Sequence, residues 1–159
     1  MMSTVFEGSM DGANLTIAIV ATRWNDFIVE RLLAGAKSAL TRHGVSPDRI
    51  DIAMAPGAYE VPFIAKKLAQ TGRYNGIVTL GCVIRGATAH FEYVSGEAAN
   101  GIGAVARETG VPISFGVLTV ENIEQAIERA GTKAGNKGEE AALTTLELIN
   151  LSSAIENAP

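Results

Sequence analysis

The sequence predicts a three-layer α/β/α sandwich built on a four-stranded parallel sheet. Four short, nearly continuous apolar runs, Leu15–Ala21, Ile50–Ala55, Ile77–Ile84 and Pro112–Leu118, have the form of strands covered on both faces. Each run is followed by a segment with apolar residues at helical spacing, and such alternation forces parallel pairing, right-handed crossovers and helices on both faces. The turn-forming, polar and aromatic residues collect just after the runs, at Thr22–Asp26, Pro56–Glu60, Val83–His90 and Thr119. In open parallel sheets ligands gather at those carboxyl ends.

The elements follow in order. Residues 1–14 are polar and dotted with glycine, and we expect a flexible arm: either Val5 and Phe6 pair against another strand, extending the sheet from a neighbour, or the segment is a disordered tail. Residues 15–159 are expected to form a single domain. After the first strand, Phe27–His43 carries Ile28, Leu32, Ala36, Ala39 and Leu40 on one face of a helix that Gly44 stops. The second strand turns through Pro56-Gly57-Ala58-Tyr59-Glu60-Val61-Pro62 into a helix ending near Gly72, with Pro62 in the first turn, where its missing N–H is not needed. The third strand leads to a long helix ending at Gly110. Beyond the fourth strand, Thr119 is expected to cap a short helix, Val120–Ala130, with Glu121 in its first turn. A polar loop, 131–138, then precedes an amphipathic helix to about Ile155.

Composition narrows the function. The chain has 159 residues, 47% hydrophobic and 19% charged, which suits one domain with a substantial core. A net charge of −4 argues against a nucleic-acid surface, which needs clustered Lys and Arg. No apolar segment approaches the roughly 20 residues of a membrane span, and no basic region followed by an apolar stretch suggests a secretory signal. Cys82 is alone, so no internal disulfide can form, and we read the chain as cytoplasmic. His43 and His90 are the only histidines, and no Cys/His cluster has metal-ligand spacing.

The chemistry is expected around the end of the third strand. There Arg85-Gly86-Ala87-Thr88-Ala89-His90 runs directly into a helix, whose free N–H groups and dipole suit an anion, and Gly86 lets the backbone approach a phosphate closely. His90 would sit beside it as a proton carrier; the alternative is a structural hydrogen-bonder at a helix start. Trp24, the only tryptophan, follows the first strand, where an indole either stacks on a ligand ring or anchors its loop to the core. Cys82 lies within an apolar run and reads as an inert core residue, and His43 as complementing a helix C-terminus.

Taken together, RWNDF (23–27), PGAYEVP (56–62), GCVIRGATAHFEYV (81–94) and FGVLT with ENIEQAIERAGTKAGNKG (115–138) resemble the lumazine synthase family, which performs the penultimate step of riboflavin biosynthesis. The resemblance covers the chain from about Leu15 onward. It implies a flavodoxin-like fold and the condensation of 5-amino-6-(D-ribitylamino)uracil with 3,4-dihydroxy-2-butanone 4-phosphate, without redox or metal cofactor. It places the phosphate at Gly86, Ala87, Thr88 and Arg129, the pyrimidine and ribityl chain at Trp24, Ala58, Glu60, Val83, Ile84, Phe115 and Lys137, and the proton relay at His90.

The resemblance further implies a homo-oligomer with active sites between adjacent subunits, Phe115, Arg129 and Lys137 coming from the neighbour. It implies pentamers, either free or closed in twelves into an icosahedral shell, with the 131–138 loop resembling that of shell-forming members, and riboflavin synthase as a further partner. Small residues on the long third helix, Ala98, Ala99, Gly101, Gly103, Ala104 and Ala106, would suit close approach of helices in a pentamer, or tight packing on the helix's own sheet. From the residues alone Arg129 could instead be a solvated charge among Glu124, Glu128 and Lys133, and Glu60 could serve the start of the second helix. Two other functions stay open at this point: a flavin-binding module of flavodoxin type, against which the bulky, hydroxyl-poor loop 22–26 speaks, and a shell protein without catalysis.

Overall fold

Every residue of the first strand, β1 (Ile17–Thr22), is buried, and its side chains serve two separate cores in alternation. Ile17, Ile19 and Ala21 face one layer of helices while Ala18 and Val20 face the other, as the two-residue period of a strand requires. The computed structural model describes residues 2–159. Its remaining elements are α1 (Asp26–Arg42), β2 (Ile50–Ala55), α2 (Val61–Gln70), β3 (Gly76–Ile84), α3 (His90–Thr109), β4 (Ile113–Val120), α4 (Ile123–Glu128), β5 (Ala130–Thr132), β6 (Gly135–Asn136) and α5 (Lys137–Glu156). Single 3-10 turns occupy Pro47–Arg49 and Ala58–Glu60.

The main sheet has the order β2-β1-β3-β4 with all neighbours parallel, the four-stranded α/β sandwich that the sequence predicts. Helices α1 and α5 pack together on one face, and α2 and α3 on the other. The chain moves outward from β1 to β2 and then returns to place β3 on β1's other side. Crossovers therefore leave β1, toward β2, and β3, toward β4, in opposite directions, and the crevice between the ends of β1 and β3 is left uncovered.

Close approach fixes the first face. Gly138, in the first turn of α5, lies so near α1 that a Cβ there would collide with the Leu32 carbonyl. Leu32, Leu40 and Leu146 are fully buried between the two helices and the sheet. Each such side chain contributes roughly 1.5–3 kcal/mol by leaving water. On the second face Gly101 of α3 meets Pro62 of α2 and Ala98 is buried, so part of the small-residue surface of α3 serves its own chain while Ala99 stays exposed.

Residues 9–12 are tied down. Asn150 Nδ2 donates to the carbonyls of Ser9 and Asp11, and the Gly12 N–H donates to His43 O at 2.7 Å. Val5 and Phe6 are exposed, at 80% and 41%.

One element begins later than the sequence suggests. Thr119 does not cap a helix; it lies within β4, because the β3–β4 register continues through Val83↔Thr119 to Ile84↔Val120. Pairing with β3 and burial of Val120 hold the β-branched residues extended. The cap is Asn122, whose side chain accepts from the Gln125 N–H at 2.9 Å. Glu121 therefore precedes the helix instead of lying in its first turn. The loop expected over 131–138 contains the β5–β6 hairpin and the start of α5, with Asn136 as the cap accepting from the Gly138 and Glu139 N–H groups.

Gly138→Ala should lower stability by about 1–3 kcal/mol through overpacking, although alanine is the better helix former. Chemical denaturation of the variant checks this, with an unchanged midpoint as the contrary result.

Candidate active site

The crevice between β1 and β3 is a two-lobed cleft. One lobe, about 290 Å³, is lined by Trp24, Ala58, Tyr59, Glu60, His90, Tyr93 and Val94. The other, about 190 Å³, adds Thr22, Asn25, Cys82, Val83 and Ile84 while sharing Trp24, Ala58, His90 and Val94. The ends of three strands and the first turn of α3 thus converge on one space.

Local structure explains how each side chain arrives there. Asn25 adopts the left-handed conformation (φ 59°, ψ 43°), which asparagine tolerates better than most residues. Its side-chain amide donates to Cys82 O at 2.8 Å, fastening the turn after β1 to the end of β3. The same turn leaves Trp24 65% exposed, with its ring beside Gly57. A Cβ on Gly57 would lie 3.0 Å from Trp24 Cε3 and 3.3 Å from Glu60 Oε2, so glycine is what lets indole and carboxylate share this corner. The exposure excludes the reading of Trp24 as an anchor in the core.

Glu60 is the electrostatic centre. Its Oε2 is buried and has no hydrogen-bond partner among the described residues. Although Glu60 stands immediately before α2, its side chain makes no capping hydrogen bond, so helix stabilisation does not explain it. A buried carboxylate oxygen without a donor carries a cost of about 1–3 kcal/mol or more, which a hydroxyl-bearing ligand would remove.

His90 is the first residue of α3, and its backbone N–H reaches Thr88 Oγ1 at 3.4 Å. Gly86, Ala87 and Thr88 are exposed, and Gly86 faces open space. Val83 and Ile84 line the cleft from β3. The chain thereby brings together Trp24, Ala58, Glu60, Val83, Ile84 and His90.

Six other residues named from sequence do not line this cleft within one chain: Gly86, Ala87 and Thr88, on the loop between β3 and α3, and Arg129, Lys137 and Phe115. Arg129 ends α4, donates through Nη1 to Gln125 O at 3.0 Å and lies 3.6 Å from Glu128. Lys137 opens α5 and donates to Glu140 Oε2 at 2.7 Å. Phe115 is 43% exposed on β4 between buried neighbours. Sequence reasoning passed over Asn25, Tyr59, Tyr93 and Val94. Val94 lies one turn beyond His90 and was within reach of pattern, whereas Asn25, which makes no capping hydrogen bond and reaches across to Cys82 O, was not.

A family model described as 6,7-dimethyl-8-ribityllumazine synthase matches residues 14–153. The chain belongs to that family. It is accordingly a transferase of riboflavin biosynthesis that forms dimethylribityllumazine from small-molecule substrates. Membership decides against the flavin-module and non-catalytic readings. Among the described residues no helix is long and apolar enough to cross a membrane, and no group of three or more His, Cys, Asp or Glu is placed to hold a metal.

For a lumazine synthase the inertness of Cys82 at the cleft floor matters. Burial pushes its thiol up to about 11, so the nucleophilic thiolate is scarce near neutrality. Because the folded-state value is raised, the neutral thiol's contribution is complete below the reference value of 9.0 and is lost as pH climbs through about 11. Iodoacetamide at pH 7.5 should leave folded protein unmodified and active, as intact mass and assay would report. Rapid alkylation with loss of activity would contradict it.

Proposed function

We propose that this cleft, completed by an adjacent copy of the chain, condenses 5-amino-6-(D-ribitylamino)uracil with 3,4-dihydroxy-2-butanone 4-phosphate. The observation that carries the reading is the orphaned Glu60 carboxylate oxygen beside an exposed indole in the same cleft as His90. A ribityl chain offers hydroxyl donors to that oxygen, and a flat uracil suits the Trp24 face. Ala58 contributes at the ribityl chain, and Val83 and Ile84 at the ring through their backbone groups.

The phosphate would lie on Gly86, Ala87 and Thr88 at the start of α3, where N–H groups and the helix dipole favour an anion. Arg129 of the neighbouring copy would close over it with its planar fork of donors. Lys137 and Phe115 of the same neighbour would meet the ring. Phe115 is 43% exposed and Lys137 half-buried, both outside the cleft of their own chain, which supports a role toward another copy.

The amine attacks the ketone, and the resulting carbinolamine must gain a proton on oxygen to lose water as the imine forms. A proton then leaves the carbon next to the imine while phosphate departs, and ring closure expels water again. His90 carries these protons, an imidazole being suited to both directions near neutral pH.

Holding two substrates in register is worth up to roughly 7–11 kcal/mol, whereas a proton relay gives roughly 10²–10⁴-fold. Amines attack ketones readily, so positioning dominates. Steady-state kinetics should therefore show Arg129→Ala losing more turnover than His90→Ala, and Glu60→Gln raising KM for the ribitylaminouracil about tenfold or more. A dead His90 variant beside a nearly normal Arg129 variant would refute the assignment.

The same reading includes assembly: pentamers closing into an icosahedral shell, with Val5 and Phe6 of one copy pairing along the free edge of β2 in the next, and riboflavin synthase as a further partner. In support, β2 pairs only with β1 and exposes Ile52 and Met54, at 40% and 53%. Light scattering should report a particle far heavier than a pentamer; a monomer would end the shared-site scheme.

A further inference from the structure

This inference rests on the anion site proposed above and concerns Arg85, which that reading leaves without a task. Arg85 directly precedes the 86–88 loop, and its backbone N–H donates to Val120 O at 2.9 Å. Its side chain joins three parts of the fold. Nε donates to Glu121 Oε2 at 2.7 Å, Nη1 pairs with Glu92 Oε1, and the guanidinium lies 4.2 Å from the centroid of the Phe91 ring. Phe91 and Glu92 belong to the first turn of α3, and Glu121 to the approach to α4.

The network continues to Arg129. The Glu121 N–H donates to Gln125 Oε1 at 2.8 Å, and Gln125 O accepts from Arg129 Nη1 at 3.0 Å. Arg85 thus stands at the hub of a chain of contacts that reaches half of each of two phosphate sites: the loop at the start of α3 in its own copy's site, and the end of α4, whose Arg129 closes over the site of the adjacent copy.

We infer that Arg85 is a positioning residue for the phosphorylated substrate, holding the 86–88 loop and α4 in place without touching the ligand. Its side chain is 38% exposed and the two carboxylates are 54% and 58% exposed. Ion pairs so open to solvent do little for overall stability. Their use lies in geometry, because a loop already fixed loses less freedom when it closes on an anion. A guanidinium suits the task, since one planar group can meet two carboxylates and stack on a ring together.

The experiment compares intact wild-type protein with Arg85→Ala and Arg85→Lys, varying each substrate and using inorganic phosphate as a competitive probe. In Arg85→Ala, KM for the phosphorylated ketone and Ki for phosphate should rise together by roughly three- to tenfold. KM for the ribitylaminouracil and the melting temperature should stay put. Arg85→Lys, with a point charge that cannot serve both carboxylates and the ring, should recover only part of the loss. Unchanged phosphate constants in Arg85→Ala would overturn the inference alone. So would equal losses for both substrates with a lower melting temperature, the mark of a merely structural residue. Failure of phosphate to compete in wild-type protein would overturn the anion site itself and the inference with it.

Discussion

The parallel pairing of β1 with β3 is the constraint on which the site depends. Both strands are buried on two faces, so their register is held by cores on either side, and a slip of one residue would send every side chain to the wrong layer. Their carboxyl ends emerge side by side at the place where the crossovers diverge. The Asn25 amide then joins the two ends by donating to Cys82 O, which sets where Trp24 stands relative to Val83 and Ile84.

On that frame the protein carries a local electrostatic imbalance. The walls of the cleft are largely aliphatic and aromatic, yet Glu60 Oε2 is buried there without a donor. Surrounding structure tolerates this because the sheet and α2 over-determine the position: Val61 and Ala58 are buried on either side of the loop's end. An unfilled hydrogen-bonding site of this kind favours a polyhydroxylated ligand over an apolar one, since only the former supplies the missing donor. The charge balance differs at the next turn of the chain, where Arg85 is engaged by two carboxylates and Gly86–Thr88 lie open.

Much of this was legible in the residues. The runs Leu15–Ala21 and Ile77–Ile84 announced doubly covered strands, and Gly86 before His90 announced a strand-to-helix turn with room for an anion. Legibility failed where a long-range pairing overrode a local signal. Thr119 has the side chain of a helix cap, but its partner across the ladder is Val83, thirty-odd positions earlier, and the ladder holds it extended. Glu60 has the right charge for a helix start as well as for a ligand's hydroxyls, and tertiary structure shows that its buried oxygen lines the cleft and makes no capping bond.

Sequence by itself determined the fold class, the order of strands and helices, and which turns would carry polar and aromatic residues, because periodicity and turn chemistry are local properties. Tertiary structure decided which of those turns share one space. Trp24, Glu60 and His90 meet because three crossovers return the chain to the same end of the sheet, and Arg129, Lys137 and Phe115 are held outside that cleft by the placement of β4, α4 and the start of α5. Distances between residues far apart in the chain depend on register and packing, which no local pattern encodes.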